Sequence, residues 1–253
     1  MKHKDIQRIY RRHILLANRN EGGVKRLAGD VVVVVFFVND AESKWTEFDK
    51  LRYKTNQEEA FRFIVSSAKK RGVRLKMRIA YGETTVNLEC EPNNYSDWSK
   101  KVIQNHKFGN VLQYQNGYKK HFGCDEAPVF FVFNKKFRSC AVSVDSDTRG
   151  CDELSMISSS DRPSVIAHEL LHQFGANDFY YIDEIKSFMK ERRYHSIMGP
   201  DQDMYIDSLT AYLIGWTDEI SSTAVEILEK TKHISKADMA ERLRDEWRKG
   251  WWG

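Results

Sequence analysis

Residues 31–38 read VVVVVFFV, bounded by Gly29-Asp30 on one side and Asn39-Asp40 on the other. A strand turns successive side chains to opposite faces, so a β-branched and aromatic run with no polar position is apolar on both faces. Such a strand belongs in the middle of a sheet, covered above and below. Upstream, Ile6, Ile9, Tyr10, Ile14 and Leu15 recur at helical spacing over residues 4–18, predicting an amphipathic leader helix that Gly22 and Gly23 end. Downstream, Thr55-Asn56-Gln57-Glu58 has the form of a capping box, and Phe61, Ile64, Val65 and Ala68 continue a helical stripe to Gly72. Residues 73–81 then alternate Val73, Leu75, Met77 and Ile79 with Arg74, Lys76 and Arg78, a second strand.

Trp98, Val102 and Ile103 give another helical pattern, broken at Gly109. After Pro128, VFFVFN reads as a third buried strand, and Cys140, Ala141, Val142, Ser143 and Val144 as a fourth, joined to it by a hairpin through residues 134–138. A hairpin makes the fourth strand antiparallel and places it at an edge. The fold class expected is therefore α/β (α+β): a mixed twisted sheet with an antiparallel edge strand and helices packed against it.

The 253 residues are 41% hydrophobic and 30% charged, which suits a globular core and argues against global disorder. Forty Lys+Arg against 36 Asp+Glu leave a net charge of +4, too mild a balance to indicate nucleic-acid binding. Residues 1–16 lack the apolar core of a secretory signal, and no run reaches membrane-span length. The four cysteines, Cys90, Cys124, Cys140 and Cys151, form no C-x-x-C pair. A cytoplasmic protein with reduced thiols is the expectation.

The chemistry concentrates in residues 168–178, HELLHQFGAND. On a helix, His168 and His172 are four residues apart and project from one face, so both imidazoles can reach one metal ion. Glu169 lies beside them as a candidate general base. Gly175 is suited to the left-handed conformation that ends a helix and turns the chain, which brings Asp178 back as a third ligand. Three protein ligands leave an open position on zinc, the mark of a catalytic rather than a structural site. The alternative for Asp178 is an ordinary turn residue. Upstream of this helix, Asp161 reads as its N-cap and Pro163 as a first-turn residue.

The acidic loop of residues 145–150 invites a calcium reading, but Arg149 and Met156 stand where ligands are required, so an acidic turn is the better one. The final third predicts a helix over residues 209–220, with Leu209, Tyr212, Leu213 and Trp216 on one side, and a charged helix over residues 237–247. Trp247, Trp251 and Trp252 suggest a patch that docks on the domain itself, the more ordinary outcome, or that meets a partner or a membrane surface.

The pattern His168-Glu169-x-x-His172-x-x-Gly175-x-x-Asp178, followed twenty residues later by Ser196-Ile197-Met198-Gly199, resembles the metzincin clan of zinc metalloendopeptidases. It matches the minority form, as in the snapalysins, in which aspartate is the third ligand. The resemblance covers roughly residues 29–220 and says nothing of the first helix or the C-terminal tail; with the chain length it gives the expectation of a single catalytic domain, divided into a leader helix (1–28), an upper part with the sheet and active-site helix (29–175), and a lower part with the methionine turn and C-terminal helices (176–253). It implies zinc as cofactor, His168, His172 and Asp178 as its ligands, Glu169 as the base, and Met198 as an apolar floor beneath the metal. The edge strand of residues 140–144 would align a protein or peptide substrate. Some clan members carry a tyrosine two positions after the methionine, where this chain has Pro200; Tyr180, Tyr181 and His195 are then the candidate transition-state donors. Cys151 as a metal-capping latency switch is weighed against a plain reduced thiol. With no pro-segment read, control would fall to a regulatory partner or to narrow specificity. A zinc hydrolase acting on a non-protein amide, or a metal-binding module working through a partner, are the other classes.

Overall fold

The structure is a computed structural model that describes residues 1–91, 94–142 and 153–248. Its centre is a five-stranded sheet in the order β2-β1-β3-β5-β4, formed by β1 (Gly29–Asn39), β2 (Leu75–Thr85), β3 (Val129–Phe133), β4 (Cys140–Val142) and β5 (Leu154–Ser158). β1 is parallel to β2 and β3, β3 is parallel to β5, and only the edge strand β4 is antiparallel. The protein is thus mixed α/β with an antiparallel edge, as the sequence predicts.

The VVVVVFFV run is the second strand of the sheet, and both of its faces are covered. Val31, Val33, Val35 and Phe37 join one apolar core with Tyr53, Phe61 and Ile64 of α2 (Glu47–Lys70) and Ile166, Leu170 and Leu171 of α5 (Pro163–Gln173). Val32, Val34, Phe36 and Val38 join a second with Trp98 and Val102 of α3 (Tyr95–Asn105) and Val111 and Tyr114 of α4 (Val111–Phe122). Full burial of each such side chain is worth about 1.5–3 kcal/mol, which is why no polar residue is tolerated along this strand.

Several expected boundaries move. α2 begins two turns before Thr55: Thr46 caps it by accepting from the Asp49 N–H at 3.2 Å. Thr55 lies mid-helix, where its hydroxyl donates to the Leu51 carbonyl at 3.1 Å, so a polar side chain that resembles a cap is satisfied internally. The leader helix α1 (His3–Tyr10) is shorter than read, and a 3₁₀ turn over Ile14–Leu16 follows it. Gly22 and Gly23 do not end a helix; the Gly23 and Val24 N–H groups instead donate to the buried Glu153 carboxylate at 2.7 and 3.1 Å. The leader is bound to the far end of the chain, with His13 Nε2 3.0 Å from the Leu228 carbonyl and Trp216 Nε1 donating to the Leu27 carbonyl at 2.6 Å.

The hairpin expected between β3 and β4 is absent. β4 pairs with β5, over residues where the sequence predicts only the acidic loop and the approach to α5. In the final third, α6 (Asp183–Arg192) is followed by α7 (Ser208–Leu213), which stops before Gly215, whose φ is +80°. α8 (Ser222–Thr231) therefore stands apart rather than prolonging it, and α9 (Lys236–Arg248) is the charged helix expected near the C-terminus. No helix among the described residues is long and apolar enough to cross a membrane.

Candidate metal centre

α5 is keyed into the sheet by polar side chains before any metal chemistry is considered. The buried Gln173 amide accepts from the Val129 N–H at 3.1 Å and donates to the Val129 carbonyl at 3.0 Å and to Ser155 Oγ at 2.7 Å. Ser155 Oγ in turn donates to the Glu169 carbonyl at 3.0 Å. These bonds tie one helix to β3 and β5 together and fix its rotation about its axis. Pro163 occupies the first turn, but the N-cap is Arg162; Asp161 instead accepts from the Ser158 N–H at 3.1 Å and from the Ser139 hydroxyl.

The helix ends at Phe174, and Gly175, at φ +92°, turns the chain back. His168 Nε2 and His172 Nε2 lie 3.0 Å apart, and Asp178 Oδ1 is 2.9 Å from the first and 3.1 Å from the second. The other ring nitrogens are held by carbonyl oxygens: His168 Nδ1 donates to Ile197 O and His172 Nδ1 to Ala176 O, both at 2.8 Å. A carbonyl only accepts, so each Nδ1 carries a proton, and the nitrogen that each ring turns to the shared point is Nε2, the atom that would offer a lone pair to a metal. Three acceptor atoms converging in this way repel one another unless a positive charge lies between them.

The electrostatics point the same way. Burial disfavours a charged His172, yet the Asp178 carboxylate beside it raises its pKa to about 9. Burial would raise the Asp178 carboxyl, but His172 and His168 hold it far below the usual carboxylate range. The cluster draws positive charge to its centre. Two imidazole nitrogens and a carboxylate oxygen form a donor set that zinc accepts, and zinc–ligand distances of about 2.0–2.1 Å in tetrahedral array place the donors about 3.3 Å apart, close to the spacing here. Among the described residues, the other group with metal-ligand spacing is Glu42, Glu89 and Glu91, an exposed acidic set.

Glu169 is buried beside the ligands and its Oε2 has no hydrogen-bond partner. Burial raises its pKa, opposed by the charges of His168 and His172. An unpartnered carboxylate oxygen next to a candidate metal centre is free to take up a proton.

Met198 is fully buried and sits in a tight turn, where its N–H donates to Ser196 Oγ at 3.0 Å and its carbonyl accepts from the Phe179 N–H at 2.9 Å. The preceding carbonyl, Ile197 O, is the one that holds His168. The turn is anchored by Asp207, whose carboxylate accepts from the Ser196 hydroxyl at 2.6 Å, the Tyr194 hydroxyl at 2.7 Å and the Leu209 and Thr210 N–H groups at 2.8 and 3.0 Å. Asp207, a residue the sequence reading passed over, thus positions His168 through three intervening bonds.

Of the three candidate donors, Tyr180 and Tyr181 are at the centre and His195 is not. The Tyr180 ring stacks near His168, with centroids 6.1 Å apart, and packs on Tyr181 at 4.4 Å. Arg138 Nη2 donates to both hydroxyls, at 3.1 and 3.2 Å. His195 is mostly exposed and its Nδ1 is 2.6 Å from Asp203 Oδ2, on a cavity of about 560 Å³ lined also by Lys190, Arg193 and Pro200.

On the edge strand, burial raises the Cys140 thiol pKa, with the Glu169 charge adding to it, which sets the start of β4 beside Glu169. Ala141 and Val142 continue that strand; Ser143, Val144, the acidic loop and Cys151 lie outside the described residues. Arg138 and Gln173 carried no signal that spacing could reveal, whereas Asp207 stands directly before the α7 run as an N-cap. Compared with known proteins, the chain matches no family model and no curated protein. The functional reading therefore rests on the residues themselves.

Proposed function

We propose that this chain is a zinc-dependent endopeptidase of narrow specificity, resembling the metzincins. The observation that carries the reading is the convergence of His168 Nε2, His172 Nε2 and Asp178 Oδ1 within 3.1 Å, each imidazole fixed by a backbone carbonyl, beside the unpartnered Glu169 carboxylate. The tight turn at Met198 that holds His168 supports it, as does the antiparallel edge strand.

His168, His172 and Asp178 would hold the metal. A bound zinc ion supplies Lewis acidity, which lowers the pKa of water toward about 7 and polarises a substrate carbonyl. Glu169 takes the proton of the attacking water as the C–O bond forms, and delivers it to the amine as the C–N bond breaks. Its burial favours the protonated form between these two steps. β4 has no neighbour on its outer side among the described residues, so an extended peptide can pair with it as an added strand. The side chains of His168, His172 and Asp178 are 0%, 12% and 13% exposed, which favours a selected substrate segment over any unfolded chain.

The test is metal content together with cleavage. The unmodified chain and Glu169→Ala should each hold about one zinc, Asp178→Ala should hold it far more weakly, and only the unmodified chain should cut peptides in a mixed library, losing activity on chelation. Absence of zinc from the unmodified chain would end the assignment. Zinc with no cleavage of any peptide would end the endopeptidase reading.

A further inference from the structure

The site contains a charged side chain that this chemistry does not yet use. Arg138 lies two residues before β4, half-buried, with its guanidinium carbon 5.5 Å from the Tyr180 ring centroid and 5.9 Å from that of Tyr181. One nitrogen, Nη2, donates to both phenol oxygens. Its charge reaches Asp178 and Glu169 as well.

Guanidinium has donors and no acceptor, so neither phenol can direct its own O–H at Arg138. Each hydroxyl accepts from the cation and must place its proton elsewhere. A hydroxyl that accepts a charge-assisted bond is also a stronger donor, because the bonds polarise one another. Of the two, Tyr180 lies two residues after Asp178 with its ring stacked near His168. The Tyr181 ring instead packs on Tyr180, with its hydroxyl in hydrogen-bonding reach of the Tyr180 hydroxyl, so an oxyanion has to draw the Tyr180 proton away from Tyr181.

We propose that Arg138 is a positioning residue that holds the Tyr180 hydroxyl as the donor to the oxyanion formed when water adds to the substrate carbonyl. This rests on the peptidase reading above. Loss of a single preorganised oxyanion donor lowers turnover by about 10²–10³-fold. Because Arg138 acts through Tyr180, removing both groups should cost no more than removing Tyr180 alone.

The experiment uses the full chain and the first peptide it cleaves from the library. Tyr180→Phe, Arg138→Gln and the double variant are compared for zinc content, for kcat and KM separately, and for calorimetric binding of a phosphinic analogue and a thiol analogue of that peptide. Zinc content and KM should stay level. Both single variants should lose kcat and phosphinic-peptide affinity by similar factors while thiol binding holds, and the double variant should match Tyr180→Phe. Multiplying losses in the double variant, an unaffected Tyr180→Phe, or equal weakening of both analogues would overturn the Arg138 proposal while leaving the peptidase standing. An unmodified chain without zinc or cleavage would overturn both.

Discussion

Replacing Gly175 by alanine should damage the candidate metal centre and the fold together. Gly175 sits at φ +92°, a conformation that L residues rarely adopt, and holding alanine in left-handed backbone costs about 1–2 kcal/mol. A Cβ there would also lie 2.5 Å from the Asn18 carbonyl oxygen and 3.0 Å from its carbon, both backbone atoms that no rotamer change can move. Overpacking of that kind adds about 1–3 kcal/mol. Alanine restricts the unfolded chain and returns about 0.4–1 kcal/mol, so the net loss should be about 1–5 kcal/mol. Gly72 provides the control: its φ is +69°, yet nothing lies within 4 Å of an added Cβ, so Gly72→Ala bears the strain without the collision. Urea unfolding of the two variants should therefore differ by roughly the overlap, about 1–3 kcal/mol. The leader and the turn are joined by the Asn177 amide donating to the Leu15 carbonyl at 2.9 Å, so the strain should reach Asp178 and weaken zinc binding in Gly175→Ala alone. Equal losses in the two variants, with zinc affinity unchanged in both, would refute the idea that the leader segment buttresses the ligand turn.

Two other perturbations follow from buried carboxylates. Asp207→Ala strands the hydroxyls of Ser196 and Tyr194 and the N–H groups that cap α7, so unfolding free energy should fall by about 3 kcal/mol or more and zinc affinity should drop as Ile197 loses its hold on His168; unchanged zinc affinity would separate the turn from the metal centre. Glu153 is raised to about 7 by burial, against the lowering effect of the Val24 and Gly23 N–H groups. A folded pKa above the unfolded one means that the native state binds more protons, so this group's contribution is favourable below the unfolded value near 4.5 and is lost as pH rises through about 7. Stability should fall by about 2 kcal/mol between pH 5 and 8, and Glu153→Gln should flatten that slope in urea titrations at each pH; an unaltered slope would locate the titration elsewhere.

What the sequence disclosed depended on whether a residue's partner was local. The VVVVVFFV run declared its place because two buried faces leave no polar position, whatever covers them. The two histidines and Gly175 declared theirs because helix periodicity and glycine's conformational freedom act within one turn of chain. β5 was missed for the opposite reason. Its serines, Ser155 and Ser158, look like turn residues until Gln173 and the Lys135 carbonyl are brought to them from elsewhere in the chain. The Thr46 cap was overlooked beside the Thr55 pattern because both offer a hydroxyl near the start of an apolar stripe; only the i−4 bond of Thr55 shows which one is interior.

The same distinction explains why an eleven-residue motif needs the rest of the chain. Residues 168–178 supply both imidazoles and the carboxylate, but only His172 finds its orienting carbonyl, that of Ala176, inside the motif. His168 takes its tautomer from Ile197 O, which depends on Ser196 and Asp207, and the helix that carries both rings takes its rotation from Gln173 bonded to β3 and β5. A free helix with the same spacing would leave both rings to choose rotamers and tautomers against water. Here the turn fixes one ring, the Gly175 reversal fixes the other, and the collision that a Cβ would make with Asn18 reveals how tightly the leader closes that reversal. The donor geometry is therefore a property of tertiary structure, and a substitution at Asp207 or Gly175, neither of which would touch the proposed ion, would act on its binding through that geometry.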